Sequence, residues 1–167
     1  EGFKENSVTL VQLDLLDFEN VALLANRITS LKLSESGALD ILIACAETLG
    51  ESSSIQDYDL EKFQNIMNTN LIANWYLLKN LDAVLKKSSA GRMIFVTSEI
   101  TSSPLSYPYW GAYAASKAAL ETMMKIYASE TKHTKLCTNA VYHNAVYKQG
   151  PSEEISTDKF VELASDS

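Results

Sequence analysis

The period of the apolar positions changes several times along the chain, and each change marks an element. Residues 8–13 (Val8-Thr9-Leu10-Val11-Gln12-Leu13) read as a strand that ends at Asp14. Asp17 is placed to cap a helix in which Phe18, Val21, Leu24, Ala25, Ile28 and Leu31 recur at helical spacing, and residues 34–37 stop it. The short run 39–44 (Leu39-Asp40-Ile41-Leu42-Ile43-Ala44) is nearly continuous in apolar character, which predicts a strand covered on both faces. A serine-rich loop leads to Asp57 and Asp59, both suited to capping the long helix predicted over 60–85. One face of that helix carries Leu60, Phe63, Met67, Leu71, Trp75, Leu78, Leu81 and Leu85. Ile66, Ile72, Tyr76, Leu77 and Val84 widen the stripe, so the helix either lies deep in a core or offers a second face to a partner. Residues 93–97 are another buried-type strand, 98–110 a loop with Pro104 and Pro108, 111–131 an alanine-rich helix and 136–142 a last strand. The tail, 150–167, is polar with a short helical piece over 159–164. Strand and helix alternate throughout, which means an α/β fold with a parallel sheet and right-handed crossovers. Ligands in such sheets bind at the carboxyl ends of the strands. Here those ends bring up Asp14, residues 44–47, Ser98 and the loop 143–147.

Composition narrows the function. The 167 residues make one domain, with 14 Lys and Arg against 21 Asp and Glu. A net charge of −7 argues against nucleic acid or an anionic membrane as main partner. No stretch is long and apolar enough to span a bilayer, and the first residues are no signal peptide. Cys45 and Cys137 show no ligand spacing, and neither histidine, His133 nor His143, joins a Cys/Asp/Glu cluster, so no metal site is expected. Both cysteines are expected in the core of a cytoplasmic protein. The six glycines are too scattered to write a GxGxxG turn or a P-loop.

Candidate chemistry gathers in the second half. Tyr113 and Lys117 stand four apart, one turn apart on one helix face. An adjacent ammonium favours the phenolate, so Lys117 is expected to lower the Tyr113 pKa towards neutral acid/base use. Tyr and Lys are common enough here for such a pair to arise by chance, and Tyr58 with Lys62 is a second one, read as solvated surface. Tyr113 and Lys117 differ in context, because Ser98 ends a buried strand upstream and brings a hydroxyl to the sheet's carboxyl edge. Asn70 sits inside the long helix, where its propensity is poor and a buried amide needs partners.

These residues carry a resemblance. The run Trp110-Gly111-Ala112-Tyr113-Ala114-Ala115-Ser116-Lys117-Ala118-Ala119-Leu120 resembles the YxxxK helix of the short-chain dehydrogenase/reductases. Asn68-Thr69-Asn70-Leu71 resembles their helix asparagine motif, Gly91-Arg92-Met93-Ile94-Phe95-Val96-Thr97-Ser98 their serine strand, and Leu13-Asp14-Leu15 the acidic position beside the adenine. The resemblance implies a Rossmann-like, doubly wound, three-layer α/β/α sheet and NAD- or NADP-dependent hydride transfer between the nicotinamide and a small-molecule carbonyl or alcohol. It implies a catalytic set of Asn70, Ser98, Tyr113 and Lys117. Tyr113 passes the proton, Lys117 lowers its pKa and holds the nicotinamide ribose, Ser98 bonds the carbonyl oxygen, and Asn70 holds a water linked to Lys117. Asp14, Leu15, Ala44, Ala46, Tyr113, Lys117 and Val146 are the implied cofactor contacts. The helices 60–85 and 111–131 are the implied interface of a homodimer or homotetramer.

The chain also departs from that pattern. The family's Asn-Asn-Ala-Gly stretch stands here as Ala44-Cys45-Ala46-Glu47, which puts a carboxylate where a glycine lets backbone approach the cofactor. Its Pro-Gly after the sixth strand stands as His143-Asn144, and Ser98 and Tyr113 are two residues further apart than the pattern. The family's first two strands, with their glycine-rich turn, and its last strand have no counterpart. The sheet is therefore expected to be incomplete, as in a chain that omits residues of a longer protein, and to bind dinucleotide poorly by itself. The alternative is a rearranged fragment in which strand 8–13 pairs directly with strand 39–44. Two functions compete: an oxidoreductase, and a catalytically silent relative that acts as scaffold or partner subunit.

Overall fold

The computed structural model describes residues 8–30 and 37–143. The helix stop at 34–36, Asn144, Ala145, Val146 and the tail 150–167 lie outside them. Helix α1 (Phe18–Ser30) starts where Asp17 Oδ1 accepts the Asn20 amide at 3.1 Å, the expected cap. Strand β1 (Ile41–Ala44) follows. Asp59 then caps α2 (Leu60–Met67) by accepting the Lys62 amide at 3.0 Å. A single π-helical turn (Asn68–Ile72) joins α2 to α3 (Ala73–Leu85), so the predicted long helix exists but carries a bulge centred on Asn70. Strand β2 (Arg92–Ser98), helix α4 (Gly111–Glu130) and strand β3 (Cys137–His143) complete the described chain.

The three strands form one parallel sheet in the order β1-β2-β3. The Rossmann-like α/β class holds, with a sheet shorter than that fold's full complement. Register places Leu42 beside Met93, and Phe95 between Ala44 and Ala140. These side chains share one face, where they meet Val21 of α1, Leu77, Leu81 and Leu85 of α3, and Leu120 and Met124 of α4 in one core.

Three expectations need correction. Residues 8–13 form no strand and pair with neither β1 nor any other described strand. Leu10 is 93% exposed, while Leu13 and Leu15 pack on the core. An alternating run becomes a strand only when a neighbour takes its backbone groups. The apolar run of β1 is covered on one face only: Leu42 and Ala44 point into the core, while Ile41 and Ile43 are nearly half exposed. Both cysteines are exposed, Cys45 just beyond the carboxyl end of β1 and Cys137 at the start of β3. Among the described residues no helix is long and apolar enough to cross a membrane.

Leu81 is 1% exposed at the centre of this core, whereas Leu105 is 98% exposed in the loop after β2. Leu81→Ala is expected to lower the unfolding free energy in a urea titration by about 2–5 kcal/mol, with Leu105→Ala changing it by less than about 0.5 kcal/mol. Equal effects would contradict this placement of the core.

Candidate active site

The carboxyl end of β2 sets the site. Ser98 is the last residue of the strand, and its backbone and side chain enter the next turn: its Oγ accepts from the Ile100 amide at 3.4 Å, and Thr101 Oγ1 donates to its carbonyl at 2.9 Å. Glu121, reaching in from α4, accepts from Thr97 Oγ1 at 2.9 Å and Thr101 Oγ1 at 2.5 Å. One buried carboxylate therefore fixes the chain on both sides of Ser98. Sequence reasoning missed Glu121, whose helix position looks like any surface-facing acid until the β2 threonines are seen against it.

Two 3-10 turns, residues 99–101 and 104–106, occupy the loop to α4 and absorb its extra length. The Ser98 hydroxyl still faces Tyr113, in the first turn of α4, closely enough to favour its phenolate. Tyr113 is 1% exposed and packs with Ile100, Trp110 and Tyr107. One turn on, Lys117 is also 1% exposed, with its Nζ 5.7 Å from the Tyr113 ring centroid and donating to the Val96 carbonyl at 2.9 Å. Its remaining charge is met by Glu47, whose Oε2 lies 2.5 Å from Lys117 Nζ and 3.2 Å from the Tyr113 hydroxyl.

The Tyr113 pKa is raised from its ordinary value, not lowered. Burial is the largest cause, the Glu47 charge comes next, and the Ser98 hydrogen bond acts in the other direction. The expected effect of Lys117 is lost because that ammonium faces a carboxylate first, which also touches the phenol.

Asn70 is fully buried. Its Oδ1 accepts the Thr48 amide at 2.8 Å, and its Nδ2 donates to the Thr48 carbonyl at 2.9 Å and to Ser116 Oγ at 3.0 Å. Ser116 in turn donates to the Tyr113 carbonyl at 2.8 Å, and Asn74 donates its side-chain amide to the Asn70 carbonyl at 2.8 Å. Asn70 thus ties the loop after β1 to the helix of Tyr113. Thr48 and Ser116 are the partners that its buried amide required, and neither was identified from the sequence.

The other candidates are more scattered. Ala44 is buried at the end of β1 and Ala46 is exposed in the loop beyond. Asp14 accepts the Leu16 amide at 2.9 Å in an exposed turn before α1, and Leu15 packs on the core. Val146 lies outside the described residues. The rival pair stays apart from all of this: Lys62 is exposed and paired with Glu51 at 2.6 Å, and Tyr58 accepts the Glu51 amide at 3.1 Å.

The family model for short chain dehydrogenase matches residues 2–157. This chain belongs to the short chain dehydrogenase family. It is 41% identical over 88 residues to an NADPH-dependent aldehyde reductase-like chloroplastic protein of Arabidopsis thaliana, over 53% of this chain and 32% of that protein. It is 28% identical over 154 residues to an uncharacterized oxidoreductase of Mycobacterium bovis, over 92% of this chain and 43% of that one. Among solved structures it resembles a short chain dehydrogenase of Salmonella enterica (TM-score 0.71, 32% identity, 79% of this chain and 53% of that chain). It also resembles an Escherichia coli CFT073 protein solved with NADPH (TM-score 0.70, 33% identity, 79% and 53%). This member of the short chain dehydrogenases spans about a third of the length of the first curated relatives it matches and about half of the solved chains.

The Asn70 contacts predict a local effect. Asn70→Ala leaves the buried Ser116 hydroxyl and the Thr48 backbone without these partners, and is expected to cost about 1–3 kcal/mol. Hydrogen exchange at the Thr48 amide is expected to quicken, while exchange in β2 slows or quickens only with global stability. Unchanged exchange at Thr48 would contradict the contact.

Proposed function

We propose that this chain carries the catalytic groups of an NAD(P)-dependent oxidoreductase that moves a hydride between the nicotinamide and a carbonyl or alcohol. The observation that supports it is the convergence of Ser98, Tyr113 and Lys117, from one strand end and one helix, at the carboxyl edge of a parallel sheet. A buried ammonium beside a buried phenol fits the ribose and proton-transfer end of a nicotinamide dinucleotide. The cofactor, when bound, supplies the hydride. Lys117 and Tyr113 hold its ribose, and Asp14, Leu15, Ala44, Ala46 and Val146 are the further contacts in this reading. Ser98 orients the substrate oxygen by its hydroxyl. Tyr113 delivers the proton to that oxygen, and Asn70 holds a water that restores the proton through Lys117.

The aldehyde reductase relatives make NADPH and aldehydes the first cofactor and substrates to try. A homodimer or homotetramer is supported by a shallow apolar groove between Leu71, Trp75 and Leu78 on one side and Met123 and Ile126 of α4 on the other. Two exposed free thiols support the cytoplasm as its compartment. The silent-scaffold reading keeps one argument, the occupation of Lys117 by Glu47.

Carbonyl-dependent oxidation of NADPH by the full-length protein separates the two. The enzyme reading predicts turnover that falls by about 10²–10⁴ in Tyr113→Phe. No turnover with any aldehyde, or turnover indifferent to Tyr113, would favour the scaffold.

A further inference from the structure

Glu47 touches both groups on which the oxidoreductase reading depends, and it is held in place to do so. Its neighbour Thr48 is fixed through both backbone atoms by Asn70. Its other side leads directly from the end of β1. From this short anchored loop a single carboxylate oxygen reaches Lys117 Nζ at 2.5 Å and the Tyr113 hydroxyl at 3.2 Å. The Lys117 side chain is 1% exposed and that of Glu47 20%, so the pair is closed on the lysine side and reachable from solvent on the glutamate side.

The strengths of the contacts are unequal. A carboxylate bonded to an ammonium makes a charge-assisted hydrogen bond, roughly twice as strong as one between neutral partners. A sugar hydroxyl is neutral. Of the three donors on Lys117, one is spent on the Val96 carbonyl and another on Glu47. A ligand that presents hydroxyls to Lys117 and an oxygen to Tyr113 therefore meets a stronger partner already in position.

We propose that Glu47 is a resident competitor: its carboxylate occupies Lys117 and Tyr113, and a dinucleotide loads only as Glu47 turns out towards solvent. This rests on the oxidoreductase reading and adds to it a residue that sets cofactor affinity.

Two readouts on the full-length protein test this. The first needs no cofactor: the ionised fraction of Tyr113, from its ¹³Cζ resonance assigned with Tyr113→Phe, at a fixed alkaline pH where the protein stays folded. Glu47→Gln keeps the shape and removes the charge, and is expected to raise that fraction about tenfold, the effect of one pKa unit. The second is the dissociation constant for NADPH, expected to fall about tenfold in Glu47→Gln. Glu47→Asp, which keeps the charge on a shorter arm, is expected to fall between the two forms, and serves where the glutamine form does not fold. An unchanged Tyr113 fraction with unchanged NADPH affinity overturns the competition and leaves the oxidoreductase reading standing. A changed fraction with unchanged affinity overturns it equally. Binding of neither NADPH nor NADH to any form removes the oxidoreductase reading, and the competition with it. A Glu47→Asp form identical to the natural chain in both readouts also counts against the proposal.

Discussion

A full positive charge lies buried at Lys117, and the arrangement around it follows from that constraint. Desolvating an ammonium costs several kcal/mol even after relaxation, so it needs a counter-charge and well-placed acceptors. The chain provides the Val96 carbonyl from the central strand and the Glu47 carboxylate from the loop after β1. The first fixes α4 against β2 in the register that sets Tyr113 near Ser98. The second draws the β1 loop across the carboxyl edge of the sheet. The same contact that satisfies Lys117 thus adds to the rise that burial gives the Tyr113 pKa, and places a carboxylate among the candidate catalytic groups.

Asn70 provides the backbone for this arrangement. Its π turn interrupts a helix that is otherwise regular on either side, and the turned-in amide joins Thr48 to Ser116. Glu121 does the equivalent for β2, with Thr97 and Thr101 on either side of Ser98. Three loops or strand ends are therefore positioned by polar side chains from helices, and the apolar core beneath supplies the platform without choosing the geometry.

Much of this was legible in the sequence, for local reasons. The 3.6-residue recurrence from Leu60 to Leu85 and the dense apolar run before Ser98 each report on their own neighbourhood, and the elements lie where those patterns put them. The strand end at Ser98 and the helix spacing of Tyr113 and Lys117 were enough to bring the candidate groups to one edge. What failed depended on distant partners. Residues 8–13 alternate like a strand, but alternation does not supply a neighbour. The apolar run of β1 says nothing about which faces are covered. A π turn leaves the apolar spacing of 60–85 almost unaltered, so Asn70 stood out by identity and not by pattern. Glu47 was recognisable as a charge in place of a glycine. Its contact with a lysine far along the chain was not, nor was the burial that, ahead of the Glu47 charge, raises the Tyr113 pKa.

An edge built around Lys117 to receive a nicotinamide dinucleotide must lose that ligand when the ammonium is removed. The direct measurement is calorimetric titration of the full-length protein with NADPH, comparing the natural chain with Lys117→Met, which keeps the length and loses the charge. Saturable binding that is lost or strongly weakened in Lys117→Met is the predicted result. Binding of equal strength in both forms, or in neither, would contradict it.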